Sequence, residues 1–229
     1  MKFSLIIPTI NEADNIQACL SALQSVRRDC ELIVVDGGSK DNTVVLAKGL
    51  ADQILNSPQG RAKQMNVGAQ HAHGDILLFL HADTFLPGNA LALIDRNIDS
   101  TRQWGRFDIQ LEGRYVMLKV IAQLMNWRSR LTGIATGDQV IFVTKKAFAA
   151  AGQFPDIALM EDIALCSKLL KLTPPLCLKA KVRSSGRRWE AFGIYKTILL
   201  MWNLRLRYWL GTDPRHLSAL YRVGKFWLH

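Results

Sequence analysis

The sequence predicts an α/β protein whose sheet begins parallel and becomes mixed, with helices on its faces and a helical C-terminal extension. Three apolar runs, at residues 3–8, 32–36 and 76–80, are nearly continuous, as in strands covered on both faces. Between them, apolar residues recur at helical spacing, the β-α-β rhythm of a parallel sheet. Beyond residue 100 that rhythm breaks. Phe107, Ile109 and Leu111 alternate with Arg106, Asp108 and Gln110, the period of a strand with one wet face.

The first strand closes at Pro8, and Thr9-Ile10-Asn11-Glu12 leads into a helix carrying Ile16, Cys19, Leu20 and Leu23 on one face. The second ends at Asp36 in Gly37-Gly38-Ser39, where glycines permit a tight turn and Ser39 or Asp41 can cap the next helix. Asp36 reads equally as a turn residue or a ligand-facing one. After a short strand at Ile54-Leu55, residues 61–73 form a helix with Ala62, Met65, Ala69 and Ala72 inward. Arg61 and Lys63 in its first turn oppose the helix dipole, which a diphosphate or solvent would relieve.

The third apolar run stops at His81-Ala82-Asp83-Thr84, at the carboxyl end of a strand, where open α/β sheets bind ligands. An Asp with a His two residues earlier can hold a divalent cation; it can also be a polar exit before the turn at Pro87-Gly88. A helix at 88–100 follows, and a helix at 114–131 is expected to bury Met117, Val120, Ile121 and Leu124. Thr136-Gly137-Asp138-Gln139 precedes a strand at 140–143 and a helix at 145–151. Glu161 and Asp162 open a helix through Leu165, Cys166, Leu169 and Leu172, where acidic residues also serve simply as dipole complements. A strand at 176–182 runs into Arg187-Arg188-Trp189, and the last long helix, at about 191–210, is expected to bury Tyr195, Ile198, Leu199, Trp202, Leu206 and Trp209.

A chain of 229 residues that is 49% apolar has ample material for a core. Cys19, Cys30, Cys166 and Cys177 show no C-x-x-C or framework spacing, so they are expected as reduced thiols, with no structural zinc. The absence of a leader and of long apolar runs points to the cytoplasm, with the inner membrane face as a second location. The formal charge of +10 asks for an anionic partner: nucleic acid, a nucleoside diphosphate or a membrane surface. No helix-turn-helix, zinc-finger or RNP-like signature supports nucleic acid. Trp202, Tyr208 and Trp209 beside Lys196, Arg205 and Arg207 are the residue mix of an interfacial helix. The ordinary width of the apolar stripe favours a packed helix instead, with weak, salt-sensitive peripheral attraction to an anionic membrane.

The ordered series IIPTINE, VVDGGSKDNT, GRAKQMNVGA, GDILLFLHADT, GDQ, MED and RRW resembles family-2 glycosyltransferases with the GT-A fold, over about residues 3–189. LHADTFLP, WGRFDI, TGDQVIFV, ALMEDIAL, SSGRRWE and MWNLRLRYWLG are similar to the subgroup named for arsenosugar biosynthesis. The resemblance implies one Rossmann-like GT-A domain, with residues 1–100 for the nucleotide sugar, 101–190 for the acceptor and 191–229 as C-terminal helices. It implies inverting transfer from a UDP- or GDP-linked sugar to a hydroxyl of a small-molecule or lipid-linked acceptor, with Mg²⁺ or Mn²⁺. Pro8, Thr9, Asn11 and Glu12 would line the nucleoside pocket, Asp36 with Gly37 would meet the base, and Arg61 would face the diphosphate. Ala82 and Asp83 complete that set; Asp83 matches the metal-binding Asp of the D-x-D motif, and His81 replaces its first Asp. Asp162 matches the catalytic base. Glu161 is the runner-up, since adjacent helical residues diverge by about 100°. Gly137, Asp138, Gln139, Arg187, Arg188 and Trp189 would shape the acceptor side. The alternative is a non-catalytic nucleotide-sugar-binding protein of the same fold.

Overall fold

Apolar strands with no wet face need cover on both sides, and the first half of the chain supplies it. The computed structural model describes residues 2–227. In it β1 (Phe3–Thr9), β2 (Cys30–Asp36), β3 (Gln53–Asn56) and β4 (Ile76–Phe79) run parallel. They are joined through α1 (Ala13–Leu23), α2 (Thr43–Ala47) and α3 (Arg61–His71). Alternate residues of one strand enter opposite cores: Leu5 and Ile7 pack with α1, and Ile6 packs with Met65 and Ala69 of α3.

The second half turns the sheet mixed, as the change of period predicts. β5 (Thr84–Phe85), α4 (Ala90–Asn97), β6 (Trp104–Glu112), α5 (Met117–Thr132), β7 (Ile141–Thr144), α6 (Lys145–Ala150), α7 (Glu161–Leu169) and β8 (Leu176–Ser185) follow in order. The strand order is β3-β2-β1-β4-β7-β6-β8-β5, with β7 antiparallel to both β4 and β6, and β8 parallel to β6. The start of β7 therefore lies at the same sheet edge as the end of β4. Gly105 admits β6 between its neighbours: a Cβ there would stand 2.3 Å from the Leu176 carbonyl oxygen and 2.6 Å from the Phe142 ring. The chain closes with α8 (Arg187–Phe192), α9 (Ile194–Trp209) and α10 (Pro214–Val223).

Four expectations about burial are corrected. β6 has no continuous wet face, because Arg106 is 1% and Asp108 8% exposed. α5 covers that side, and the charges satisfy one another. Arg106 donates to Asp108 and, at 3.1 Å, to the Asn126 carbonyl, while Arg130 donates to the second Asp108 oxygen at 2.6 Å. On α5, Val120 and Leu124 face outward with Val116, Trp127 and Leu131, and the inward face is Leu118, Ile121, Ala122, Asn126 and Ser129. On α9, Tyr195, Leu199, Trp202, Leu206 and Trp209 are exposed, and Ile198 is half-buried. The inward residues are Thr197, Leu200 and Leu204, because α10 supplies Leu217 and Leu220 to that side. Leu172 lies beyond the end of α7 and is exposed.

All four cysteines are free, and burial pushes the Cys19, Cys30 and Cys166 thiols up to about 12, which keeps them protonated and unreactive. Among the described residues no helix is long and apolar enough to cross a membrane.

Candidate active site

Chain segments leaving one edge of the sheet enclose two adjoining cavities of about 510 and 380 Å³. Pro8 and Thr9 at the end of β1, Glu12 before α1, and Ala82 and Asp83 beyond β4 line the larger, polar one with Arg187 and Arg188. Gly137 before β7, Glu161 and Asp162 at the start of α7, and apolar residues of α5 and α9 line the smaller. Arg61, His81, Asp138, Trp189, Met201 and Tyr221 border both, so the two chambers share a wall.

In the polar chamber Arg187 Nη2 stands 3.0 Å from Asp83 Oδ2 and 3.4 Å from Glu12 Oε2. Burial works against that guanidinium charge, and the two carboxylates more than compensate, raising its pKa. Arg188 lies over the Tyr221 ring, 3.4 Å from its centroid. At the shared wall His81 Nδ1 is 3.3 Å from Asp138 Oδ1. Burial tends to raise the Asp138 pKa, but the His81 hydrogen bond and charge, with Arg61 and Arg128, hold it below the usual carboxylate range. Gly137 makes this fit possible, since a Cβ there would fall 2.6 Å from His81 Nε2.

The carboxylates of the second chamber are set by an unusual turn. Met160, in the left-handed region at φ 69°, redirects the chain so that α7 starts at the cavity. Asp162 then accepts the Gly137 N–H at 3.0 Å and its neighbouring Ile163 N–H at 2.7 Å. Glu161 is buried at 6% exposure, while Asp162 is partly open. Both carboxyl pKa values are pushed up, chiefly by burial. The Asp162 charge adds to the effect on Glu161; the backbone bonds and Arg61 oppose it at Asp162. A carboxylate so raised holds a proton more firmly once it takes one, as a general base requires.

Several expected site residues build loops instead of lining a cavity. The Asp36 carboxylate accepts the Gly38 and Ser39 N–H groups at 2.9 and 2.8 Å and the Ser39 hydroxyl, which ties it into its own loop. Asn11, at φ 51°, ties the same loop by accepting the Lys40 N–H at 2.8 Å. Gly37 is pressed against the Gln64 side chain, 3.0 Å from where its Cβ would be. Gln139 is fully buried and donates to Ser129 at 3.0 Å. Arg187 and Arg188, expected on the acceptor side, line the polar chamber.

Sequence reasoning missed Arg128, Met201 and Tyr221 as wall residues. Arg128 carried a signal, since it recurs at helical spacing after Ile121 and Leu124. Its Nε and Nη2 have no hydrogen-bond partner among the described residues, and burial depresses its pKa, opposed by Asp162.

No group of three or more His, Cys, Asp or Glu side chains among the described residues could hold a metal ion. His81 is engaged by Asp138, and Asp83, paired with Arg187 in this structure, is the carboxylate at that position that would offer a hard anionic oxygen to a cation. One carboxylate is enough where phosphate oxygens and water complete the shell, as is usual for Mg²⁺. The donor set fits a cation that arrives with a diphosphate.

A parallel β-α-β half, an antiparallel insertion and a bipartite cavity at the strand ends define the GT-A fold. A mannosyltransferase from Pyrobaculum calidifontis, solved with GDP-Man and Mn²⁺, superposes with a TM-score of 0.65 at 20% identity, covering 90% of this chain and 61% of that one. The Mycobacterium tuberculosis glucosyl-3-phosphoglycerate synthase, solved with Mn²⁺, UDP and glucosyl-3-phosphoglycerate, gives 0.62 at 17% identity, covering 98% and 80%. At such identities the likeness shows the fold. The model of glycosyl transferase family 2 matches residues 4–143, and the chain belongs to that family. A PGL/p-HBAD biosynthesis glycosyltransferase of Mycobacterium bovis (strain BCG / Pasteur 1173P2) is 40% identical over a 92-residue alignment that covers 37% of this chain and 36% of the relative. The chain thus matches little more than a third of that relative's length.

Proposed function

We propose that the protein is an inverting, metal-dependent glycosyltransferase that moves a sugar from a nucleoside diphosphate, UDP or GDP, to a hydroxyl of a small-molecule or lipid-linked acceptor. The shared wall carries this reading. A polar chamber lined by Arg61, Arg187 and Arg188 adjoins a chamber containing the Asp162 carboxylate, with six residues bordering both. The donor would occupy the first, with Pro8, Thr9, Glu12 and Ala82 around the nucleotide and the arginines on the diphosphate. Asp83 would hold Mg²⁺ or Mn²⁺, whose chemistry is to neutralise charge on the departing diphosphate. Two of the solved structures of this fold contain Mn²⁺ with a nucleotide or nucleotide sugar, which supports that reading.

The acceptor hydroxyl would enter beside Gly137 and Asp138. Its oxygen attacks the anomeric carbon from the face opposite the diphosphate, and the bond to the diphosphate oxygen breaks with its electron pair. Asp162 takes the hydroxyl proton. The finer likeness to the arsenosugar-named subgroup rests on its motifs alone and identifies no acceptor.

Thermal unfolding with UDP- and GDP-sugars, with and without Mn²⁺, tests the donor site. A ligand at a hundredfold excess over its Kd adds about 2.7 kcal/mol, a Tm rise of about 5–10 °C for a chain of this size. Asp83→Asn should remove the Mn²⁺-dependent part of the shift. An unchanged Mn²⁺-dependent shift in that variant would refute the metal assignment, and no shift with any nucleotide would refute the donor site.

A further inference from the structure

We propose that the outward faces of α5 and α9 form an apolar platform that docks on an anionic lipid bilayer, with the mouth of the carboxylate chamber turned toward the lipid. Scattered exposed apolar side chains are ordinary on protein surfaces. These are not scattered. Val120, Leu124 and Trp127 on α5 are 48, 54 and 61% exposed, and Leu199, Trp202 and Leu206 on α9 are 56, 65 and 55% exposed. Each set recurs at the spacing of one helical face, which makes two continuous stripes.

The stripes meet at the cavity. Leu124 and Trp202 belong to the exposed faces and also line the smaller chamber, and Ile121, Met125, Ile198 and Met201 line it beside them. An apolar surface thus runs from solvent into the chamber that contains Asp162.

Charge identifies the occupant as an anionic surface. Neither α5 nor α9 contains an Asp or Glu, and neither does α10. Lys119, Lys196 and Arg205 fall by helical spacing along the borders of the stripes. None of these three makes an ion pair among the described residues, in a chain of net charge +10. Apolar and indole groups bordered by cations suit the headgroup boundary of a bilayer. A second copy fits poorly, since it would oppose like-charged helices and cover the cavity mouth. The docking surface stands independently of any activity; its consequence, that an acceptor reaches Asp162 from the lipid side, rests on the transferase reading.

Flotation of the full chain with phosphatidylcholine vesicles, with and without phosphatidylglycerol, tests the platform. The protein should float with the anionic vesicles and, because apolar contacts resist screening, part of that binding should survive ~0.5 M NaCl. Leu199→Glu combined with Leu206→Glu should weaken binding about tenfold or more, because it places carboxylates on the apolar stripe. Neither residue lines a cavity, so the nucleotide-induced Tm shift should persist in the double variant. Failure of the wild type to float with anionic vesicles, or equal flotation of the double variant, would overturn the proposal. So would a dimer in gel filtration that the double variant splits, which would assign the platform to contacts between copies. A wild type that floats yet shows no nucleotide response would refute the transferase reading and leave the docking surface supported.

Discussion

Replacing Asp162 by Asn alters the chemistry of one carboxylate at nearly constant volume. A general base contributes roughly 10²–10⁴ in rate, so turnover should fall by about 10² or more, equivalent to at least about 2.7 kcal/mol in activation free energy. A structural cost accompanies it. Both Asp162 oxygens accept backbone N–H groups, from Gly137 at 3.0 Å and Ile163 at 2.7 Å, and an amide can present an oxygen to only one of them. The other N–H then faces a donor, at about 1–3 kcal/mol, which lowers Tm by about 2–12 °C. Donor affinity should hold, because Asp162 does not line the polar chamber. The pH profile supplies a second signature. Burial raises the Asp162 pKa and the base works ionised, so wild-type turnover should climb with pH through that raised value, and the variant should lose this limb. The assay is steady-state transfer or slow donor hydrolysis beside donor titration. Turnover within about threefold of wild type in Asp162→Asn, with a collapse in Glu161→Gln, would move the base to Glu161.

Two further outcomes concern stability. Asp108→Ala should cost about 3–5 kcal/mol in urea unfolding, because it leaves the Arg106 guanidinium, 1% exposed, without its counter-charge; a change under about 1 kcal/mol would show that the network is dispensable. Glu31 gives an acid-limb prediction: burial alone would raise its pKa, but hydrogen bonds from Ser4, His73 and Gly74 lower it from 4.5 to about 2. A depressed folded pKa stabilises fully above the unfolded value and is lost as pH falls toward about 2, so roughly 2–3 kcal/mol should disappear across that window. Glu31→Gln should flatten this limb, and an unchanged pH dependence of unfolding in the variant would refute the linkage.

The legible parts of the fold were those where sequence pattern and physical cause are the same thing. Strands buried on both faces must be apolar throughout, so β1, β2 and β4 stand out as runs that end where polar residues begin. Those ends are also the rim of the cavity, which is why Pro8, Thr9, Glu12, Ala82 and Asp83 line one chamber. Residues whose role depends on partners distant in sequence were less legible. Asp36 reads equally as a turn residue or a ligand-facing one from sequence, and only the fold shows its carboxylate accepting from the Gly38 and Ser39 N–H groups. Arg187 reads as part of an acceptor motif, while its contacts are Asp83 and Glu12, more than a hundred residues away in sequence.

Helical periodicity reports that a stripe exists and leaves its direction open. α5 and α9 each carry apolar residues on more than one side, so inward Ile121 and Leu200 coexist with outward Leu124 and Leu199. What selects the inner side is the partner: β6 with its Arg106–Asp108 pair selects the Asn126 and Ser129 side of α5, and Leu217 and Leu220 of α10 select the Leu200 and Leu204 side of α9. Asn126 shows the selection in detail, since its amide closes two hydrogen bonds with the Ile109 backbone, at 2.8 and 3.0 Å, that no apolar residue could replace. A buried polar demand on β6 thus decides which way α5 turns. The broad apolar face left over is consequently a product of core formation, and it borders the mouth of the Asp162 chamber.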